Sequence, residues 1–344
     1  MDQRDDAWLR ARRHLQANRY ELGMAAHREL YPDTARVAGT PLLTAPQWMP
    51  VAPIPLDVVV LERADSPLHG TPPPRYSEIM ARLARPAVFE NRPTYRLLDA
   101  VLDGDRPHMR FGDGRYFDGV DTGEAVAHEF AEAHLTRTNG TFEQSHCSKV
   151  PFVGQGGGAR SAIGDPVDPS RRPVNVAISA ITIRRDDRSS FLVHHRDPAR
   201  VAHAGGLLQV LPVGIFQPVS PDTAEHDFDL WRCLQREFVE ELLGEPEATG
   251  RVEYERWEGM HPFVLGMGVD PLTLATDLLV AVVVDPSAYD RTFAARVAEN
   301  DEGTVSEHPF TADVVDRLVH EERMQAAGAA VVALAWKYRD ELLS

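Results

Sequence analysis

Arg236-Glu237-Phe238-Val239-Glu240-Glu241-Leu242-Leu243-Gly244 is the stretch on which the reading of the chain turns. Leu230, Leu234, Phe238 and Leu242 recur every fourth residue, the spacing of one helical face, so a helix is predicted over 229–243. On it Glu237, Glu240 and Glu241 stand at i, i+3 and i+4, and their carboxylates converge beside the apolar stripe. Like charges that close repel one another, and a divalent cation relieves the repulsion. Hard carboxylate oxygens suit Mg²⁺ or Mn²⁺, and Mg²⁺ commonly comes with a phosphorylated substrate. The alternative is a solvated acidic helix face, which is common in a chain with 52 Asp+Glu against 36 Lys+Arg.

The surroundings of this helix read as a core of mixed strands. Residues 174–183 alternate and are β-branched, and 191–195 and 207–215 follow as further strands. After the helix, 263–267 and 278–284 read as strands, and helices at 312–323 and 326–343 end the chain. Strands interspersed with helices give an α+β class for 174–344. Before it, 153–173 is a Gly- and Pro-rich loop containing Gly154-Gln155-Gly156-Gly157-Gly158. Gly-rich backbone can cradle phosphate, but no Gly-Lys-Ser/Thr follows, so this is a connector and not a P-loop.

Residues 1–152 form an N-terminal α+β extension or cap. A helix is predicted over 6–31 from Trp8, Leu9, Leu15, Leu22 and Leu30, stopped by Tyr31-Pro32-Asp33. It carries Arg10, Arg12, Arg13, Arg19 and Arg28, but no second helix joined by a tight turn is visible, and the sequence turns Pro-rich instead. Short helices are expected at 79–83 and 95–101 and a longer one at 124–135. A hairpin is expected at 109–117 around Gly112-Asp113-Gly114.

The chain has 344 residues, 43% of them apolar, and a net charge of −16. Such a surface repels nucleic acid and anionic lipid. No apolar run reaches the ~20 residues of a membrane span, and no signal peptide is visible at the N-terminus, so a cytoplasmic protein is expected. Cys147 and Cys233 lack metal-ligand spacing and read as two reduced thiols.

The run 236–241 resembles the core of the Nudix box, Arg-Glu-apolar-x-Glu-Glu, without a break. Leu211-Pro212-Val213-Gly214 resembles the strand and glycine that open that family's loop–helix–loop, and 180–184 and 191–196 its first strands. Asp197-Pro198, His203-Ala204-Gly205-Gly206, Phe228-Asp229-Leu230-Trp231-Arg232 and, further upstream, Phe89-Glu90-Asn91-Arg92-Pro93 are similar to a group of actinobacterial Nudix-fold proteins often fused to helix-turn-helix regulators. The resemblance implies an α/β/α sandwich, a mixed sheet between helices. It implies Glu237, Glu240 and Glu241 as ligands to Mg²⁺ (or Mn²⁺), Arg236 orienting a carboxylate through a bidentate pair, and Glu302 as a further ligand or base. Gly214, Arg196 and Gly206 are the implied substrate-binding positions. The activity implied is hydrolysis of a phosphoanhydride in a nucleoside diphosphate-linked or related phosphorylated small molecule. The alternative is a Nudix-fold ligand-binding or regulatory protein, and a homodimer is left open. Counted back from Arg236, the box expects Gly at 222 and Glu at 228, where Asp222 and Phe228 stand. Gly214 supplies the turn only if the loop is longer, with Glu225, Asp227 or Asp229 in place of the missing Glu. The terminal Gly is expected at 243 and comes one residue late, as Gly244.

His194-His195, His203 and His226 lack the i, i+4 spacing of a helical metal pair and read as solvated or hydrogen-bonded histidines. Cys147, beside His146 and Lys149, is a weak candidate nucleophile, since neighbours in sequence rarely face each other. Trp231, Trp257 and Tyr254 could stack on a base, with core packing the expected fate of Trp231.

Overall fold

The computed structural model describes residues 3–66, 75–138, 158–196, 206–253, 257–293, 299–300 and 303–344, with backbone alone at 137–138, 196 and 299–300. The N-terminal half runs α1 (Gln3–Ala17), α2 (Arg19–Glu29), β1 (Ile54–Pro55), β2 (Val60–Arg63), α3 (Tyr76–Leu83), β3 (Pro93–Val101), β4 (His108–Arg115), α4 (Tyr116–Gly119) and α5 (Ala125–Thr138). Then come α6 (Ala159–Ile163), β5 (Val176–Arg184), β6 (Ser190–Arg196), β7 (Leu208–Gln209), β8 (Val213–Ile215) and α7 (Leu230–Glu241). β9 (Met260–Val269), β10 (Thr276–Val284), α8 (Pro286–Thr292), β11 (Glu299–Asn300), β12 (Gly303–Pro309), α9 (Ala312–His320), α10 (Ala326–Lys337) and α11 (Arg339–Leu342) complete the chain.

The larger sheet has the order β1-β9-β10-β5-β6-β12-β11, with β8 paired to β5 and β7 to β6. It is mixed: β10 runs parallel to β5 and antiparallel to β9. Every residue of β10 is buried, as expected for a strand covered on both faces. Alternation sorts its side chains. Leu278, Val280 and Val282 join Ile178 and Ala180 in the core that contains Leu234 and Phe238 of α7. Leu279, Ala281 and Val283 join Ile181 and Ile183 in the core that contains Leu318 of α9 and Val331 and Leu334 of α10. The chain is therefore α+β, with helices on both faces of a mixed sheet. Among the described residues no helix is long and apolar enough to cross a membrane.

A small sheet, β2-β4-β3, packs into the same core as α7. Tyr95 and Phe111 on its inner face lie 4.6 and 5.2 Å from the ring of Phe216, just beyond β8. β1 pairs with β9, Ile54 opposite Val264, so the N-terminal half also contributes a strand to the large sheet.

Six expectations change, two of them simply: the helix over 326–343 breaks at Tyr338 into α10 and α11, and the loop 153–173 holds the helix α6. The helix over 6–31 is two helices, broken at Asn18, whose side-chain amide donates to the carbonyl of His14 (2.9 Å). Residues 95–101 are strand, not helix; a register shift between Leu97 and Asp99 breaks the period-two alternation and hides it from a pattern reading. No hairpin turns at Gly112-Asp113-Gly114, because β4 runs straight through. There the glycines serve close approach: a Cβ on Gly114 would lie 2.8 Å from Oγ1 of Thr94, and one on Gly112 2.8 Å from Cβ of Ser66. The strand expected at 207–215 is split into β7 and β8.

Asp277 on β10 is buried, and its Oδ1 accepts from the Ser179 hydroxyl at 2.8 Å. Burial pushes its carboxyl from 3.8 up to about 7, helped by the charge of Asp270 and opposed by the Ser179 bond. A carboxyl raised in the folded state holds its proton more tightly folded than unfolded, so it lowers stability as pH rises from about 3.8 to about 7. Melting temperatures of the wild type and Asp277→Asn across that window should diverge, the wild type losing ground with rising pH; a constant difference would contradict the burial. Phe216→Ala, which removes the ring shared by the two sheets, should cost about 3–5 kcal/mol in a urea titration.

Candidate functional site

The loop before α7 is organised by two aspartates. Asp227 is buried and accepts from the Val219 N–H at 2.9 Å and from the Thr223 hydroxyl. Asp229 caps α7, accepting from the Arg232 N–H at 3.0 Å. Both are engaged in shaping the loop, and Glu225 is exposed.

Leu230, Cys233, Leu234 and Phe238 of α7 face the core, which turns the polar side of the helix toward β8. Arg236 is only 7% exposed. It donates from Nη1 to the Gln217 carbonyl at 3.1 Å, and its Nη2 lies 3.5 Å from the Ile215 carbonyl. Its Nη2 and Nε also reach Oε1 of Glu237 at 3.2 and 3.4 Å. The expected Arg–carboxylate pair is thus present with Glu237 as partner, but both nitrogens address one oxygen.

Glu237 lies flat against the strand. A Cβ built on Gly214 would sit 1.9 Å from its Cδ, so the glycine there makes room for a carboxylate. Burial pushes Glu237 up to about 7, opposed by Arg236 and reinforced by the charge of Glu240. One turn on, Glu241 accepts from the Val213 N–H at 2.9 Å. Consecutive residues of β8 therefore meet the i and i+4 carboxylates of α7.

Glu240 points toward the far end of the helix. α7 ends at Glu241, and beyond it the chain folds back through Gly244, which has φ +68°, with the Glu245 N–H donating to the Val239 carbonyl at 3.2 Å. This return places the Ala248 N–H 3.3 Å from Oε1 of Glu240. The Glu240 carboxyl is raised by burial and by the charge of Glu247, and lowered by the Ala248 bond, Arg236 and Arg92. Arg92, from the N-terminal half, forms an ion pair with Glu247 and reaches Glu90 at 3.0 Å. Arg92 and Glu247 are participants that the sequence reading missed. Arg92 lies in the stretch 89–93 that carried part of the resemblance, whereas Glu247 had no signal beyond the turn at Gly244.

The three glutamates share one turn of α7, yet each holds a different protein partner. Among the described residues no three His, Cys, Asp or Glu side chains are gathered as a metal cage. The donor chemistry nevertheless suits a hard cation: all-oxygen ligands on one turn, Glu237 and Glu240 both shifted upward, and Glu237 bonded to Arg236.

Elsewhere, Gly206 has φ +79° and open space around it. The backbone of Arg196 pairs with Gly303 at the end of β6. The Arg196 side chain, Glu302, Cys147, His203, Tyr254 and loop residues 153–157 lie outside the described residues. Nε2 of His226 lies 2.9 Å from Nη1 of Arg232 and 3.2 Å from the Val252 carbonyl, its partner set by the tautomer. Trp231 packs against the core, Trp257 lies 5.6 Å from the ring of Phe238, and Cys233 is buried and unbridged.

No protein-family model matches the chain, and no curated protein matches it. Among solved structures it is similar to a mutT/nudix family protein from Listeria innocua at 14% identity and a TM-score of 0.31, over 48% of this chain and 94% of that one. The likeness is slight, and the residues have to decide.

Gly214→Ala tests the docking of α7 on β8. The added methyl forces the end of the Glu237 side chain aside and away from Arg236, and a loss of about 1 kcal/mol in chemical denaturation is expected from the weakened bond; a variant as stable as the wild type would show that the Glu237–Arg236 contact adds nothing to the docking of α7.

Proposed function

We propose that the chain is a Nudix-type hydrolase that cleaves a phosphoanhydride in a nucleoside diphosphate-linked or related phosphorylated small molecule, with the α7 turn as its catalytic centre. The observation that carries this reading is the seating of the unbroken 236–241 run on β8. Glu237 lies against Gly214, and Glu241 is tied to the adjacent Val213 N–H. A merely solvated acidic face would have no reason to dock its carboxylates on a strand or to bury an arginine beside them.

Glu237, Glu240 and Glu241 are the residues that would hold Mg²⁺ or Mn²⁺. Carboxylates shifted upward by burial are short of positive charge, and that is the condition favouring cation uptake. A divalent cation bound there supplies Lewis-acid polarisation of a phosphoryl oxygen and neutralises phosphate charge. The chain's own residues do the positioning. Arg236, held by the Gln217 carbonyl, fixes the Glu237 carboxylate. Glu241 locks the turn to β8. Arg92 brings a cation from the N-terminal half to the rim beside Glu240, suited to a phosphate-bearing ligand.

The test is release of phosphate or pyrophosphate with Mg²⁺ or Mn²⁺ from nucleotide sugars, dinucleotides and nucleoside triphosphates. Turnover should require the metal. It should fall at least ~10²-fold in Glu240→Gln and Glu241→Gln, and about 10–100-fold in Arg236→Ala. Absence of turnover across the panel, with ligand-dependent thermal stabilisation, would sink the catalytic reading and leave a Nudix-fold ligand-binding protein.

A further inference from the structure

The large sheet has a second face, and where α10 begins that face is open. A cleft of about 410 Å³ lies there, between the first residues of β5 and β10, the start of α10, α2 and the π-helical turn Val120–Glu124. The size suits a small organic ligand.

Strand register places the cleft floor. Ile215 on β8, Ala177 on β5 and Asp277 on β10 stand opposite one another and line it. The next row, Gly214, Ile178 and Leu278, faces α7. Cleft and glutamate turn therefore occupy opposite faces of the same strands, and the inference does not depend on the hydrolase reading. Met24, Leu272 and Met324 contribute apolar wall.

The acids of the wall are held by cations or by backbone N–H groups, with one exception. Glu124 pairs with Arg12 and, at 2.8 Å, with Arg19. Asp270 accepts from the N–H groups of Leu272 and Thr273 at 3.0 and 2.7 Å. The one buried cation of the wall, Arg172, donates to the Pro166 carbonyl and the Thr276 hydroxyl at 3.1 and 2.9 Å, while its Nε has no hydrogen-bond partner among the described residues. Asp277 has the Ser179 hydroxyl as its one hydrogen-bond partner among the described residues, and no cation acts on it. A buried carboxyl without a counter-charge is costly and is relieved by a cationic partner.

We propose that this cleft binds a small organic cation, an amine or amidine on an apolar body, with its nitrogen against Asp277 and its body against the apolar wall. The net charge of −16 draws cations toward the protein. The raised Asp277 carboxyl agrees with an acid that lacks its partner.

Benzamidine is the probe, with benzyl alcohol and benzoate as neutral and anionic controls of similar size, titrated calorimetrically into the full chain. Benzamidine should bind at one site and the controls should not. Asp277→Asn, which keeps an acceptor for Ser179, should weaken binding at least ~10-fold. Gly23→Leu is the second variant. Gly23 lines the cleft from α2, a Cβ there meets nothing within 4 Å, and leucine is the better helix former. It should fold, fill the space and abolish binding. Benzamidine binding undiminished in folded Asp277→Asn or retained in folded Gly23→Leu, equal binding of benzoate, or no binding by the wild type would each overturn the proposal.

Discussion

The contact between Arg236, Glu237 and Gly214 is the constraint from which the rest of the site follows. A guanidinium almost out of water needs acceptors on all sides, and it finds the carbonyls of Ile215 and Gln217 and the Glu237 carboxylate. That set fixes the rotation of α7 about its own axis. Once it is fixed, Leu234 and Phe238 face the core, Glu241 faces the Val213 N–H, and Glu240 is carried to the end where the chain returns after Gly244. Replacing Arg236 leaves the Gln217 carbonyl and the buried Glu237 carboxylate without the donor they share.

How much of this was legible beforehand depends on how local the cause is. The 236–241 run and its amphipathic stripe are short-range features, and the helix lies within two residues of where its periodicity put it. The buried strand β10 was equally plain over 278–284, because seven consecutive residues covered on both faces leave a continuous apolar signature, and only Thr276 and Asp277 at its start were missed. Gly214 was singled out by position alone; that it makes room for a carboxylate emerges only when helix and strand are in contact. Residues 95–101 and Gly112-Asp113-Gly114 were misread for one reason. A bulge shifts the alternation, and glycines chosen for close strand approach look like turn residues until their neighbours are known. Arg92 and Glu247 are 155 positions apart, and no periodicity links such a pair.

The two faces of the sheet carry opposite solutions to burying charge. On the α7 face, acids are held by backbone N–H groups and an arginine. On the other, Asp277 sits beneath the open end of α10 with a single hydroxyl for company. Both arrangements hang on the same strands, since Gly214 and Ile215 are adjacent residues facing opposite ways. A change in the path of β8 would be felt on both sides.

β1 contributes only two residues to the large sheet, but it occupies the outermost position, along β9. It covers the middle of β9 at Phe263 and Val264, while Leu43 bridges Val269 at the far end; without these segments of the N-terminal half the edge of β9 would be a template for pairing with another chain. Pro55 adds to the protection, because its ring nitrogen has no hydrogen to offer a further strand. Cutting the chain ahead of β5 to isolate the glutamate helix would remove this guard. It would also strip the ring of Phe216 of Tyr95 and Phe111, so the severed fragment should be sticky in proportion to the edge and core it has lost.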